Sequence, residues 1–415
     1  MKKLALPLLF CVVPVTAQAA DSAWVQATAT GYEARLVTDA TTCPVLHTDK
    51  GDVAMAMRAA ANSNFPLVCA AAIPAGAARG DIAGAALPLP VVKPERILVL
   101  GDTGCRIKGA AIQACNDADK WPFPRLAAAA AALKPDLVIH VGDYLYRESP
   151  CPPGNQGCAG SPWGDNWTTW QADFYTPAAP LLAAAPIVLV RGNHEDCNRT
   201  GPGWLRLQGP SAFDPAASCI PLLPVYTVDL GDLRLAVMDD ATADDTRLNR
   251  EDSPMYAAEL KGLAAISAPV WFVHHRPIWA AVTGPLGIPI GGNIALIDAV
   301  RLASPRGEPP IASSVELMLS GHIHSFEAIN YAGPVPPQIV AGNGGDNLHA
   351  TPENLRGAQF QGHSGVTVAD GLSEDGFGFL LMTRAGNGWD IDLYDQAGIK
   401  TRTCRFSKRL DCPAP

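Results

Sequence analysis

Beyond its first 20 residues the sequence has no uninterrupted apolar run of about 20, the length a helix needs to cross a bilayer. Charge is scarce, with 17% charged against 48% hydrophobic residues, which excludes an intrinsically disordered chain. Basic residues are outnumbered, 31 Lys and Arg against 40 Asp and Glu, so a general binder of nucleic acid or anionic membrane is excluded and no nucleic-acid partner is expected. No C-x2-C pair occurs, which removes the zinc-ribbon reading of the cysteines. There is no internal repeat, and no low-complexity tract beyond one Ala run. What remains is a compact globular chain of 415 residues, long enough to bury a large core.

The chain opens on Met1-Lys2-Lys3, an apolar stretch from Leu4 to Val15, and Ala17-Gln18-Ala19. A positive start, a short apolar segment and a small-x-small site predict a signal peptide over residues 1–20 that is removed on export. Phe10 before Cys11 occupies the place where a lipoprotein site needs a small residue, which disfavours lipidation. Without the leader, 29 basic residues face 40 acidic ones, a net −11. Ten cysteines then remain: Cys43, Cys69, Cys105, Cys115, Cys151, Cys158, Cys197, Cys219, Cys404 and Cys412. An even set in an exported chain predicts up to five disulfides and a periplasmic or secreted location. Because the cysteines fall in sequential pairs around short loops, nearest-neighbour pairing is the expectation, although sequence alone does not fix connectivity.

From residue 21 to 94, short runs rich in Val, Thr and aromatics predict a small N-terminal β-domain, closed by a linker with three prolines between Leu87 and Pro94. The second domain, 95–415, has a different grammar. Ile97–Leu100, Leu137–Val141, Ile187–Val190, Val270–Val273 and Val315–Leu319 are continuous apolar runs, as expected of strands buried on both faces. The Ala-rich segment from Arg125 to Leu133 between the first two predicts a helix, and the alternation predicts an α/β class. Residues 149–175 and 201–224 read as long, disulfide-tied surface loops.

Each strand ends in polar residues: Gly101-Asp102-Thr103-Gly104, Gly142-Asp143 with Tyr146, Gly192-Asn193-His194-Glu195, His274-His275, and Gly321-His322 with His324. Polar groups at strand ends converge on one sheet edge, where open α/β folds place their ligands. Carboxylate, amide and imidazole together suit Fe, Mn or Zn without any thiolate. Two such ions need a shared carboxylate, and Asp143 is the natural bridge.

With these motifs in this order, the chain resembles the calcineurin-like metallophosphoesterase superfamily over roughly Arg96 to Phe326, and within it the purple acid phosphatase branch. The resemblance implies a β-sandwich of mixed sheets flanked by helices. It also implies a first metal held by Asp102, Asp143, Tyr146 and His324, and a second held by Asp143, Asn193, His275 and His322. His194 would face the leaving-group oxygen as general acid or transition-state stabiliser. The superfamily's usual first motif is Asp-x-His, whereas Gly104 stands in the His position here; the purple-acid branch has Gly there and a Tyr ligand three residues after the bridging Asp. His275, with Pro277 two positions later, fits the ligand spacing better than His274, and Tyr146 better than Tyr144. His140 reads as a packed or supporting imidazole, and Asp239 and Asp240 as orienting or structural groups. The loop Gly342–Asp346 reads as a tight turn, and nothing in the spacing ties His349 or His363 to the metals.

The activity so implied is hydrolysis of small-molecule phosphate monoesters by a metal-bridging hydroxide on two ions, Fe with Fe, Zn or Mn. A phosphodiesterase on the same centre is the alternative, and an inactive binding or adhesion protein the second. One departure bears on substrate. Plant-type members carry further substrate-facing histidines between the fourth and fifth motifs, and this sequence has no His between Arg276 and Gly321.

Overall fold

The computed structural model describes residues 21–413 except 218, 249, 267–268, 305–308, 353 and 361–364. The expected leader with Cys11, and His363, lie outside the described residues.

The apolar runs are strands with two buried faces. Arg96–Leu100, Leu137–His140 and Ile187–Leu189 run parallel, with Leu137 opposite Ile97, His140 opposite Leu100 and Val138 opposite Ile187. They form the middle of an 11-stranded sheet. Gly378–Ala385 adds antiparallel to Arg96–Leu100, followed outward by Gly388–Asp395, Lys400–Phe406 and Leu410–Asp411. A second sheet of seven strands runs in the order Tyr226–Asp229, Arg234–Val237, Val270–Val273, Val315–Ser320, Gln338–Ala341, Phe326–Tyr331 and Val368–Glu374.

Successive strand residues point to opposite faces, and this splits the core into layers. Ile97, Val99, Ile139 and Val188 of the first sheet share a cluster with Leu235, Val237, Val273 and Leu319 of the second. Leu98, Leu100 and Val138 face the other way, under the helices Phe123–Ala132 and Thr176–Ala184. Phe272 and Met318 face outward under Ser253–Gly262 and Ile294–Ala303. The result is a β-sandwich of mixed sheets with helices on both outer faces. Each fully buried Leu, Ile, Val or Phe contributes roughly 1.5–3 kcal/mol, so the layers hold chiefly through these alternating side chains. The Ala-rich segment is helical as expected: proline starts it, Phe123, Leu126, Ala127 and Ala130 bury one face, and Lys134 follows at φ 51.

Residue 94 marks no break in the first sheet. Ser22–Thr28 pairs parallel with Ile187–Leu189 through Gln26, and Gly31–Thr38, Leu67–Ala72 and Ala56–Ala59 extend the sheet beyond it. Trp24, fully buried, packs in the same cluster as Leu98 and Phe123. Only the short strands Val45–Thr48, Val53–Ala54, Gly80–Ile82 and Ala85–Ala86 form a sheet of their own, packed on this extension through Leu46, Ile82, Leu36 and Cys69. Joining the open edge of Ile187–Leu189 buries more apolar surface than some 70 residues could bury alone.

The two expected surface loops are partly helical. Trp167–Trp170 and Gln171–Tyr175 form one continuous helical stretch with Trp170, Asp173, Phe174 and Tyr175 buried. Gly201–Leu207 is a short helix that buries Trp204. Pro and Gly at either end disguised the i, i+3, i+7 spacing of Trp167, Trp170 and Phe174. The cysteines pair as expected: Cys43–Cys69, Cys105–Cys115, Cys151–Cys158, Cys197–Cys219 and Cys404–Cys412. Among the described residues no helix is long and apolar enough to cross a membrane.

Candidate metal centre

The C-terminal ends of strands from both sheets deliver the polar motifs to one place. Asp102, Asp143 and His322 have φ of 56°, 59° and 69°, the left-handed region that non-glycine residues rarely occupy and that concentrates at functional sites. The surroundings hold them there. Asp102 N–H donates to Gly142 O at 2.9 Å and Thr103 N–H to Asp143 O at 3.0 Å, which ties the first two motifs together. His322 N–H donates to the Asp102 carboxylate at 2.9 Å, and His194 N–H to Asp143 Oδ1 at 2.8 Å. Gly142 has φ 106, and a Cβ there would overlap the His275 ring.

Tyr146 lies at the middle of the first expected ligand set. Its hydroxyl is 2.8 Å from Asp143 Oδ2, 3.1 Å from Asp102 Oδ1 and 3.2 Å from His324 Nε2. Across Asp143, His275 Nε2 is 3.3 Å from Oδ2 and 3.1 Å from Asn193 Oδ1. Donor atoms of Asp143, His275 and His322 all lie within 4.8 Å of one another. All seven expected ligands are therefore brought together. The alternatives point elsewhere: His274 Nδ1 pairs with Asp240 at 2.9 Å, and Tyr144 donates to Val190 O at 2.8 Å within the core.

This donor set suits cations. Asp102 and Asp143 are buried, and among the described ion pairs neither has a Lys or Arg partner; the charged partner of each is an imidazole. Buried carboxylates without a counter-charge are costly, so the imidazoles respond. Burial lowers the proton affinity of His275, but Asp143 and Asp102 more than offset it and push its pKa up to about 10. Burial likewise opposes His324, while Asp346 and Asp102 raise it to about 9. Burial raises Asp143, yet His275 and His194 together hold it well below the usual carboxylate range. The same field would be satisfied by metal ions in place of those protons.

His194 is buried with its ring centroid 3.7 Å from that of Tyr146. Its Nδ1 lies 2.6 Å from Glu148 Oε1, an ion-pair contact rather than an aligned hydrogen bond. Glu148 is in turn flanked by Lys108 at 3.2 Å and Arg199 at 3.5 Å. His140, inside its strand, pairs with Thr103 Oγ1 at 2.9 Å, and burial, with His275 nearby, lowers its pKa to about 3. It is a neutral, packed imidazole.

Of the residues that support the centre, Asp239 and Asp240 were singled out by the sequence, whereas Glu195, Asp173 and Asp245 were not. Glu195 accepts from the N–H groups of Gly192, Asp143, Tyr144 and Leu145 at 2.9–3.2 Å. Burial, then the Asp143 charge, raises its pKa to about 8. Asp173 accepts from Tyr146 N–H at 2.7 Å, Cys105 N–H at 2.9 Å and Arg147 Nε at 2.7 Å, fixing the Tyr146 backbone. Asp240 accepts from the N–H groups of His275 and Arg276, an orienting role, whereas Asp239 pairs with Arg191 at 3.0 Å. Asp245 binds His322 Nε2 at 2.9 Å and pairs with Arg276. The only advance signals were the position of Glu195 in its motif and the adjacency of Arg147 to Tyr146.

Gly342–Asp346 is not a simple tight turn. Gly344 and Gly345 pack so closely on the backbone of Gly101 and Thr103 that a Cβ on either would overlap a carbonyl oxygen. The loop backs the first motif and delivers Asp346, which pairs with Arg106. Arg106 lies 4.8 Å over the Tyr146 ring. His349, untied by spacing, stacks on His324 at 4.4 Å and its Nδ1 accepts the His324 N–H at 3.1 Å.

The fold resembles that of a purple acid phosphatase, PPD1, from yellow lupin (Lupinus luteus) at 12% identity, with a TM-score of 0.56 over 94% of this chain and 74% of that one. It also resembles the structure of PhoD at 10% identity, with a TM-score of 0.52 over 95% and 91%. No curated protein sequence matches the chain. The calcineurin-like phosphoesterase profile matches residues 95–326, more than half of the chain. That family implies a dinuclear metal centre and hydrolysis of phosphate esters. On that match and this geometry, the chain belongs to the calcineurin-like phosphoesterase family and is a hydrolase acting on phosphate ester bonds.

Proposed function

We propose that the chain is an exported, purple acid phosphatase-like enzyme that hydrolyses phosphate monoesters. The observation that carries this is the Tyr146 hydroxyl, within 3.2 Å of Asp102, Asp143 and His324 at once. Asp102, Asp143, Tyr146 and His324 would hold one ion, and Asp143, Asn193, His275 and His322 the other. The pair of ions supplies Lewis acidity to the phosphoryl oxygens and a lowered pKa to bound water.

The chain's own residues do the rest. Glu195 and Asp173 hold the Gly192 and Tyr146 backbones through buried hydrogen bonds, so the donor atoms keep their spacing. Hydrolysis adds water across the ester bond, and the departing alkoxide needs a proton. His194, with Nδ1 against Glu148, has Nε2 to deliver it, and Glu148 stabilises the protonated ring. A phenolate on iron(III) would colour the protein, so iron in the first position is part of the proposal.

Export fits the five disulfides and the leader sequence. The test is hydrolysis of an aryl phosphate monoester and diester by the mature chain, after chelation and after reloading with iron, zinc or manganese. Metal-dependent turnover favouring the monoester supports the reading. Preference for the diester replaces it with a phosphodiesterase.

A further inference from the structure

Beside the centre opens a cleft of about 350 Å³, large enough for an organic group of moderate size. It shares His322 with the second ligand set, and His349 on its wall stacks on His324, so it begins where the phosphate would sit. Its walls are Pro277, Ala280, Val282, Ile323 and Ala350. Gly291 and Gly292 leave part of the surface bare, and a Cβ on Gly291 would overlap Ala280 O.

The charge pattern narrows the occupant. No Lys or Arg lines the cleft, and its one carboxylate, Asp245, is held by Arg276, His322 and Asn293. An anion placed there would lose its hydration and find no cation in the lining, since the neighbouring Arg276 is already engaged by Asp245. Nucleotide and polyphosphate tails need Arg or Lys partners that the cleft does not supply. The hairpin Ala281–Thr283 and Pro289–Gly291, which contributes Val282, Thr283 and Gly291, carries Leu286 and Ile288 exposed at its tip, at 98% and 41%. This is also the stretch without histidine between Arg276 and Gly321.

We propose that the cleft receives the organic substituent of the phosphate ester, and that this substituent is a bulky, uncharged, apolar alcohol. The inference rests on the phosphoesterase reading and names its substrate class. Each methylene removed from water favours binding, so chain length is a direct probe.

The experiment compares ethyl phosphate, hexyl phosphate, glycerol 3-phosphate and a hexyl phosphate bearing a terminal carboxylate, all esters of primary alcohols with similar leaving ability. Hexyl phosphate is expected to exceed ethyl and glycerol phosphates in kcat/KM by at least about tenfold, and the carboxylate to abolish that advantage. In Val282→Asp and Ala350→Trp the hexyl-to-ethyl ratio is expected to fall toward one, with inhibition by inorganic phosphate retained as evidence of an intact centre. Equal turnover of hexyl and glycerol phosphates by the wild-type chain overturns the proposal whether or not the variants fold. An unchanged hexyl-to-ethyl ratio in both folded variants does the same. Absence of turnover on every ester, with no effect of metal, overturns the phosphoesterase reading itself and the cleft assignment with it.

Discussion

A Cβ built on Gly104 would stand 2.7 Å from Tyr146 Cδ2. The ring that reaches the metal site, together with the Tyr144 carbonyl at 2.7 Å and the Asp173 carboxylate at 2.9 Å, therefore occupies the space a side chain at 104 would need. The glycine at 104, a departure from the superfamily's first motif, and the tyrosine at 146 in the second motif are coupled by volume. Gly104→Ala should displace the ring, at a cost of about 1–3 kcal/mol for overpacking. The check is thermal unfolding together with the visible spectrum of the iron-loaded protein; an unchanged spectrum and melting temperature would show that the ring has room to spare.

Tyr146→Phe removes the hydroxyl and keeps the ring. Near-ultraviolet circular dichroism should stay close to wild type, because the ring remains packed against His194. Any visible band should vanish. Activity tests whether the phenol is needed for turnover or only for colour. Persistence of the band in the variant would move its origin to another residue.

Glu195 gathers four backbone N–H groups from two motifs. Glu195→Gln supplies one acceptor oxygen where two are used, so buried N–H groups lose partners. Metal affinity or kcat should fall about 10- to 100-fold, the usual cost of disturbing a group that orients metal ligands. Metal titration followed by kinetics measures both.

Away from the centre, burial raises the Glu327 pKa to about 8, opposed only by the Ala281 N–H. In the unfolded chain the same carboxyl ionises near its ordinary value. Between that value and pH 8 the folded state holds a proton that the unfolded state has released, so this contribution to stability is full below the ordinary carboxylate range and is lost as pH rises through about 8. Asp165, raised by burial to about 6, acts in the same direction over a narrower window. Glu327→Gln should flatten the decline of melting temperature between pH 5 and 8, measured by scanning calorimetry. A slope equal to wild type would contradict the assignment.

The strands and ligand motifs were legible because each apolar run ends abruptly in Gly-Asp, Gly-Asn or His, a local pattern that needs no partner to be read. His274 and Tyr144 turn into the core while His275 and Tyr146 face the centre, since neighbours on one short segment leave a sheet edge in different directions. Glu148, Asp173, Asp245 and Asp346 were not legible. Their contacts join residues that the sequence separates by 26 to 240 positions, as with Asp173 to Arg147 and Asp346 to Arg106. The sheet extension was hidden for the same reason. Nothing in Ser22–Thr28 announces that its neighbour is Ile187–Leu189, because parallel pairing leaves no turn between the partners.

Cys11 offers a test of export. Processing at the small-x-small site would leave every remaining cysteine in one of the five disulfides, so the mature chain should titrate no free thiol. N-terminal mass determination on protein recovered from the periplasm or medium checks the same point.

The most direct test of the centre is metal content per chain, measured alongside aryl phosphate hydrolysis in the wild-type protein and in Asp143→Asn. Asp143 stands between both ligand sets, 2.8 Å from the Tyr146 hydroxyl and 3.3 Å from His275 Nε2. The expected result is two ions per wild-type chain with turnover, and a joint loss of metal and activity in the variant. Two ions and full turnover in Asp143→Asn, or a metal-free wild-type chain that hydrolyses the ester, would contradict it.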